Sequence, residues 1–172
     1  MKCINKFLIE SESLPDGDIE VSCKVILFNR VVDDPTSPWK ALVLRRSSVS
    51  GYGQWDFPGG HMKKDEEKKD AAFREVKEES DLDIKDDSSF KFVKTIYLEL
   101  PGRSDKPKMH IFEGESTNTE VTLPCTAYGD GSPEHNEYKW VWDTEEINNM
   151  PMLPQLKEIL ISTLNKKHVY KS

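Results

Sequence analysis

No stretch of this chain approaches the roughly 20 consecutive apolar residues that a membrane-spanning helix needs, so a helical membrane protein is excluded. The opening MKCINKFLIESES lacks the long apolar segment of a secretory leader, and the expected compartment is the cytoplasm. Cysteine is scarce. Cys3, Cys23 and Cys125 are an odd number at wide, irregular spacing, which gives neither a disulfide framework nor a zinc pattern. They fit ordinary reduced thiols in a reducing compartment. Positive charge is short as well: the net charge of −7 argues against non-specific nucleic-acid binding through a basic footprint, while leaving room for a local pocket that takes a phosphorylated small molecule. Repeats and low-complexity tracts are absent. What remains, 36% hydrophobic and 32% charged residues in 172, is enough to bury a core in one globular domain spanning 1–172.

The β-branched and apolar run EVSCKVILFNRVV (Glu20–Val32) predicts a strand. Two prolines and two aspartates break the pattern between Asp33 and Pro38, and WKALVLRRSS (Trp39–Ser48) predicts a second strand running into a Ser/Gly loop through Gly53. QWDFPGG is a short extended piece stopped by its proline and glycines. From about Lys64 to Ser80 no Pro or Gly interrupts a helical pattern, with Asp81 placed to close it in the left-handed conformation. Phe90–Leu100 and Lys108–Glu115 read as a hairpin joined by the turn formers PGRSDKP, followed by an irregular tract from 116 to 133. EYKWVW (Glu137–Trp142) is a strand. Asp143 or Thr144 caps a short helix to Met150, and a last helix runs from about Leu153 to Lys166. The sum is an α/β fold, a mixed sheet flanked by helices.

The chemistry concentrates in PGGHMKKDEEKKDAAFREVKEES, Pro58–Ser80. On a helix, Glu78 and Glu79 lie about 60° and about 40° to either side of Glu75, so three carboxylates share one arc. Ala71 and Ala72 on the preceding turn let a backbone or ligand come close, while Phe73 and Val76 anchor the helix in the core. Like charges at i, i+3 and i+4 destabilise a bare helix, and a hard divalent cation reverses that sign. A solvated acidic face is the alternative for REVKEE taken alone.

The spacing around the cluster is more specific. From Gly60, five residues lead to Glu66 and seven more to Arg74-Glu75, then Val76, Lys77, Glu78 and Glu79 follow. This resembles the Nudix box, G-x5-E-x7-R-E-U-x-E-E-x-G-U with U aliphatic, at every fixed position but the last glycine. Asp81 stands there, followed by the aliphatic Leu82. The resemblance covers Gly60–Leu82, and QWDFPGG resembles the strand and turn that enter the box. It implies a Nudix-type α/β/α sandwich. The departure at Asp81 falls on a helix C-terminus, where a carboxylate is unfavourable by roughly 0.3–1 kcal/mol.

By similarity to the family, Glu75, Glu78, Glu79 and the Gly60 carbonyl would coordinate Mg²⁺ or Mn²⁺. Glu66 and Arg74 would be the ion pair that orients them, a role suited to the rigid two-pronged guanidinium. The implied reaction is hydrolysis of a nucleoside diphosphate linked to another moiety. The general base is Glu79 or another box glutamate, or else a glutamate far downstream, where Glu134 in SPEHNEYKW is the candidate and Glu137 the runner-up. His135 beside it binds phosphate or is solvated, with solvation favoured.

The substrate is read mostly from what is missing. An NADH-type SQPWPFPxS is absent after the box, and Tyr97 stands where ADP-ribose hydrolases carry proline. A tyrosine at that distance resembles the marker of dinucleoside polyphosphate hydrolases, although a packed strand residue is the ordinary reading. Nucleoside triphosphates or dinucleoside polyphosphates are therefore favoured over ADP-ribose or NADH. The coenzyme A type is partly matched by GQWDFPGG but has Val49 at its upstream arginine. Arg45, Arg46 and Arg103 are within reach of phosphates if they are not simply solvated. Tyr52 and Trp55 offer stacking surfaces, Trp55 more often being a core residue. An RNA 5′ end is an unfavoured substrate, and a homodimer is left open. The competing class is a nucleotide-binding module that has lost turnover, against which the intact set Glu66, Glu75, Glu78 and Glu79 speaks. A prenyl diphosphate isomerase is disfavoured because its cysteine-bearing motif is absent.

Overall fold

The computed structural model describes residues 21–30, 34, 36–47, 51–98, 106–116, 118–123 and 133–169. Cys3, Cys125, Arg103, Val49, the PGRSDKP link up to Asp105 and residues 124–132 lie outside them. So do Glu20, Val31, Val32, Ser48, Glu99 and Leu100 at the ends of expected strands, and Asp33 and Pro35 of the expected loop.

In chain order the elements are β1 (Val21–Asn29), β2 (Lys40–Arg46), β3 (Trp55–Asp56), β4 (Gly59–His61), α1 (Lys68–Ser80), β5 (Lys91–Tyr97), β6 (Lys108–Glu115), β7 (His135–Val141), α2 (Thr144–Asn149) and α3 (Pro154–Val169). They form one mixed sheet in the order β3-β2-β1-β6-β5, with β4 also on β1 and β7 on β2. β1 and β6 run parallel over eight paired positions, from Val21↔Lys108 to Phe28↔Glu115. All other pairs are antiparallel.

β1 explains the layers. Successive strand side chains point to opposite faces, and here both faces are covered, so CKVILF is apolar on both registers apart from Lys24. Cys23, Val25 and Leu27 pack with Leu42 and Leu44 against Ala71, Ala72 and Val76 of α1. Ile26 and Phe28 pack on the other side with Ile147 of α2 and with Leu156, Leu160 and Leu164 of α3. Those three leucines recur every fourth residue, as one buried helix stripe requires, and each contributes about 1.5–3 kcal/mol as an upper figure. An α/β/α sandwich results.

The central sheet is split. β1 and β2 meet only at Phe28↔Ala41 and Asn29↔Lys40. Beyond that they diverge, and residues 55–61 fill the fork: β3 adds to β2 at Leu44↔Asp56 and Arg45↔Trp55, and β4 adds to β1 at Ser22↔His61, Cys23↔Gly60 and Lys24↔Gly59. The Val25 amide donates to the Pro58 carbonyl at 2.9 Å, closing the apex. Lys24 stands inside the fork, 4% exposed. Its ammonium donates to the carbonyls of Gly59 at 2.5 Å and Phe57 at 3.2 Å and pairs with Asp56 Oδ2 at 2.9 Å. Burial works against that charge, but Asp56 and Glu79 outweigh it and raise the lysine pKa above its ordinary value.

Several expectations need correction. The paired glycines do not stop an extended piece: they are themselves strand, because the fork supplies β1 as a partner. The helix begins at Lys68 rather than near Lys64, since Asp65 takes a left-handed conformation with φ 62° and turns the chain first. The strand expected from Glu137 starts at His135, where β2 still offers a partner in Arg46. The last helix runs three residues further, to Val169. The hairpin of β5 and β6, the left-handed closure at Asp81 (φ 57°) and the Asp143 cap, which accepts from the Glu146 amide at 2.9 Å, are found as expected.

Replacing Lys24 by methionine leaves the Asp56 carboxylate, which has only 10% of its side chain exposed, with Arg46 at 3.5 Å as its remaining cation, and is expected to cost up to about 3–5 kcal/mol in urea unfolding. Lys24→Met combined with Asp56→Asn should recover part of that loss. A double variant no more stable than the single would show that packing, not charge, holds the fork.

Candidate active site

The fork, the C-terminal half of α1 and the start of β7 converge on one corner. The glycine turn comes first. A Cβ at Gly59, whose φ is +140°, would overlap the Cys23 carbonyl oxygen, so only glycine brings this backbone against β1. At Gly60 a Cβ would stand 2.8–2.9 Å from the Glu75 carboxylate, so the bare backbone leaves that carboxylate its place.

α1 presents its carboxylates to the turn in three different environments. Arg74 organises two of them. Its Nε and Nη2 donate to Glu66 Oε1 at 2.7 Å and Oε2 at 2.9 Å, a two-pronged pair. Its Nη1 donates to Glu75 Oε1 at 2.5 Å and Glu78 Oε2 at 3.3 Å, and Nη2 also reaches the His61 carbonyl. One guanidinium thus touches three glutamates and β4. Hydrogen bonding from Arg74 pulls the Glu66 carboxyl down to about 2. Glu75 goes the other way: burial raises it against the opposing effect of Arg74. Glu78 keeps 43% of its side chain exposed. Ala71 and Ala72 are fully buried and pack in the apolar cluster with Cys23, Val25, Leu27, Leu42 and Leu44 of the sheet.

Glu79 is the most enclosed of the set, 5% exposed, and its Oε2 accepts from the Gly59 amide at 2.7 Å. Burial pushes its carboxyl well above the ordinary range; Lys24 opposes this and Glu134 adds to it. Glu134 arrives with β7, its backbone fixed by the Ser47 amide donating to its carbonyl at 2.9 Å. The C-terminal end of α1, just past Glu79, is held too: Lys77 pairs with Asp81 Oδ1 at 2.9 Å and Asp83 Oδ2 at 3.1 Å, which offsets the unfavourable carboxylate at the cap.

The other sequence candidates lie around this corner. Arg45 pairs with Glu137 at 3.0 Å across β2 and β7, both about two-fifths exposed, so each is engaged by the other. Arg46 reaches Asp56 at 3.5 Å and lies over Gly51. Tyr97 is 53% exposed on edge strand β5, opposite Lys108, which in turn faces Val21, so it shares the end of the sheet with β4 but has β6 and β1 between. Trp55 is in the core at 7% exposure, and Tyr52 is 72% exposed.

Solvation of His135 is overturned. The ring is 5% exposed, its Nδ1 stands 3.8 Å from Glu79 Oε1, and burial lowers its pKa to about 4, leaving it neutral. Pairing of β7 with β2, which no local pattern announces, turns it inward. Lys24 and Asp56 escaped the sequence reading as well. The signal for Lys24 was available: one charge inside an otherwise apolar run that is buried on both faces.

The described helices include none long and apolar enough to cross a membrane. A NUDIX domain family model matches residues 25–161. A MutT protein from Methanosarcina mazei Go1 is 25% identical, with a TM-score of 0.64 over 87% of this chain and 95% of that one. The C. elegans Ap4A hydrolase binary complex is 18% identical, with a TM-score of 0.60 over 90% and 100%. The NUDIX domain of Shewanella oneidensis NrtR, complexed with ADP ribose, is 14% identical, with a TM-score of 0.65 over 88% and 89%. No curated protein matches the chain. With the family model spanning well over half its length and its glutamate helix set against the glycine turn, the chain belongs to the NUDIX domain family.

Proposed function

We propose that the chain is a divalent-cation-dependent pyrophosphohydrolase acting on a nucleoside diphosphate linked to another moiety. The observation that carries this is the gathering of an intact carboxylate set, Glu66, Glu75, Glu78, Glu79 and Glu134, around the Gly59–Gly60 backbone with Arg74 at its centre. Their donor chemistry suits a hard cation. Glu75 and Glu79 are both held above the ordinary carboxylate range by burial, and a cation between them would relieve that. Glu75, Glu78, Glu79 and the Gly60 carbonyl would hold Mg²⁺ or Mn²⁺. When bound, such an ion supplies charge neutralisation for bridging phosphates and acidifies a water.

The chain's own residues do the rest. Arg74, locked by Glu66, orients Glu75 and Glu78. The Gly59 amide fixes Glu79. A box glutamate, or Glu134 close to Glu79, accepts the proton released by the attacking water. For the substrate, nucleoside triphosphates or dinucleoside polyphosphates are favoured by the missing NADH-type tract and by Tyr97 in place of the ADP-ribose proline. Tyr97 is also exposed at the site's end of the sheet.

Phosphate release across dNTPs, Ap4A, ADP-ribose, NADH and capped RNA, with Mg²⁺ or Mn²⁺, should single out a polyphosphate. Glu79→Gln and Glu134→Gln should each lower kcat/KM by roughly 10²- to 10⁴-fold, mostly in kcat. Silence across the panel with nucleotide binding intact would favour the binding module instead.

The orienting pair has a pH signature. The Glu66 carboxyl falls from 4.5 to about 2 on folding, so its stabilisation is complete above pH 4.5 and disappears as the pH falls towards about 2. Thermal melts should show a steeper acid loss for the wild type than for Glu66→Gln. Parallel acid limbs would remove Glu66 from the clamp.

A further inference from the structure

We propose that Glu79, Glu134 and His135 form a mixed oxygen–nitrogen metal subsite that takes a divalent transition-metal ion in preference to Mg²⁺. The inference rests on the reading of α1 as a cation-holding helix and adds to it a position whose donor set includes an imidazole.

Three side chains from two distant segments each place one ligand atom so that all lie within 4.8 Å of one another. Glu79 and His135 are each 5% exposed. The separation of His135 Nδ1 and Glu79 Oε1, 3.8 Å, exceeds hydrogen-bond length, which ends near about 3.2 Å. It lies below the roughly 4.2 Å that two donors on one ion can span with bonds of about 2.1 Å. His135 also carries an unanswered polar atom. Its Nε2 is buried and has no hydrogen-bond partner, which leaves the ring with a polar atom that the protein does not answer. A histidine buried only for packing has no reason to turn a ring nitrogen toward a carboxylate without bonding it. The backbone sets the ring there from two sides: Arg46↔His135 is the last rung of the β2–β7 ladder, and the Ser47 amide holds the neighbouring Glu134 carbonyl.

The donors decide the ion. Mg²⁺ takes oxygen ligands and keeps its waters, whereas imidazole nitrogen suits Mn²⁺ weakly and Co²⁺ or Zn²⁺ strongly. Glu75, Glu78 and the Gly60 carbonyl offer oxygen alone. The corner therefore has an oxygen side for Mg²⁺ and a nitrogen-bearing side for a transition metal, and His135 separates the two.

Mn²⁺ added to the full chain reports this directly, because pulsed EPR detects nitrogen bonded to the ion without any turnover. The wild type should show directly bound ¹⁴N. His135→Gln should lose that signal and weaken Mn²⁺ binding by at least about tenfold, the scale on which even an outer partner of a metal ligand acts. Mg²⁺ affinity should be unchanged. His61→Gln, on exposed β4, should keep the nitrogen signal. Bound Mn²⁺ with no nitrogen coupling in the wild type would overturn the subsite while sparing the cation-holding helix. Coupling lost with His61 and kept without His135 would overturn it equally. No Mn²⁺ bound at all would overturn both readings. The wild-type spectrum decides even if His135→Gln fails to fold.

Discussion

At Gly59 the backbone lies so close to β1 that a Cβ would overlap the Cys23 carbonyl, and the rest of the corner hangs on that contact. The Gly59 carbonyl receives the buried ammonium of Lys24, and the Gly59 amide donates to Glu79. One residue without a side chain therefore joins a buried cation on the sheet to a buried anion on the helix. Any side chain there would push β4 off β1, separate Lys24 from the turn and leave Glu79 without its donor. Glycine is required here for a close approach as well as for its positive φ.

Around that contact two internal cations are set among the carboxylates and oppose much of their mutual repulsion. Arg74 serves Glu66, Glu75 and Glu78, and Lys24 serves Asp56 and acts on Glu79. The division has a chemical result. The glutamate tied most tightly to Arg74 is strongly acidic, whereas the two that face the glycine turn hold protons more readily than usual. Identical side chains within fourteen residues of helix and turn thus differ in basicity because burial and the nearest cation are matched differently at each. Burial sets the direction for Glu75 and Glu79, and the two internal cations limit how far it goes.

The parts legible in the sequence were those decided locally. Box spacing places Glu66 against Arg74 because both sit on one loop–helix segment, and Asp81 closes the helix because short polar residues tolerate the left-handed region. The hairpin of β5 and β6 announced itself by its two apolar runs. Long-range pairing hid the rest. His135 looked like a solvated loop residue because its burial depends on a β2 partner far upstream. The glycines looked like a stop because the fork that pairs them is made by two strands well upstream in sequence. Lys24 was readable in principle, as a charge where strand alternation and burial on both faces leave no room for an unpaired one.

The split sheet also sets a hierarchy of opening. β1 and β6 share eight rungs, whereas the wedge is held by the two rungs of β3 and the three of β4. Short ladders open at lower free energy than long ones, so amide protons in residues 55–61 exchange through a smaller fluctuation than those of β1. The wedge is nonetheless tied to the helical layers, through Trp55 and Phe57 in the core and through the Gly59 amide on Glu79, so opening the corner that gathers the carboxylates also disturbs the packing around it.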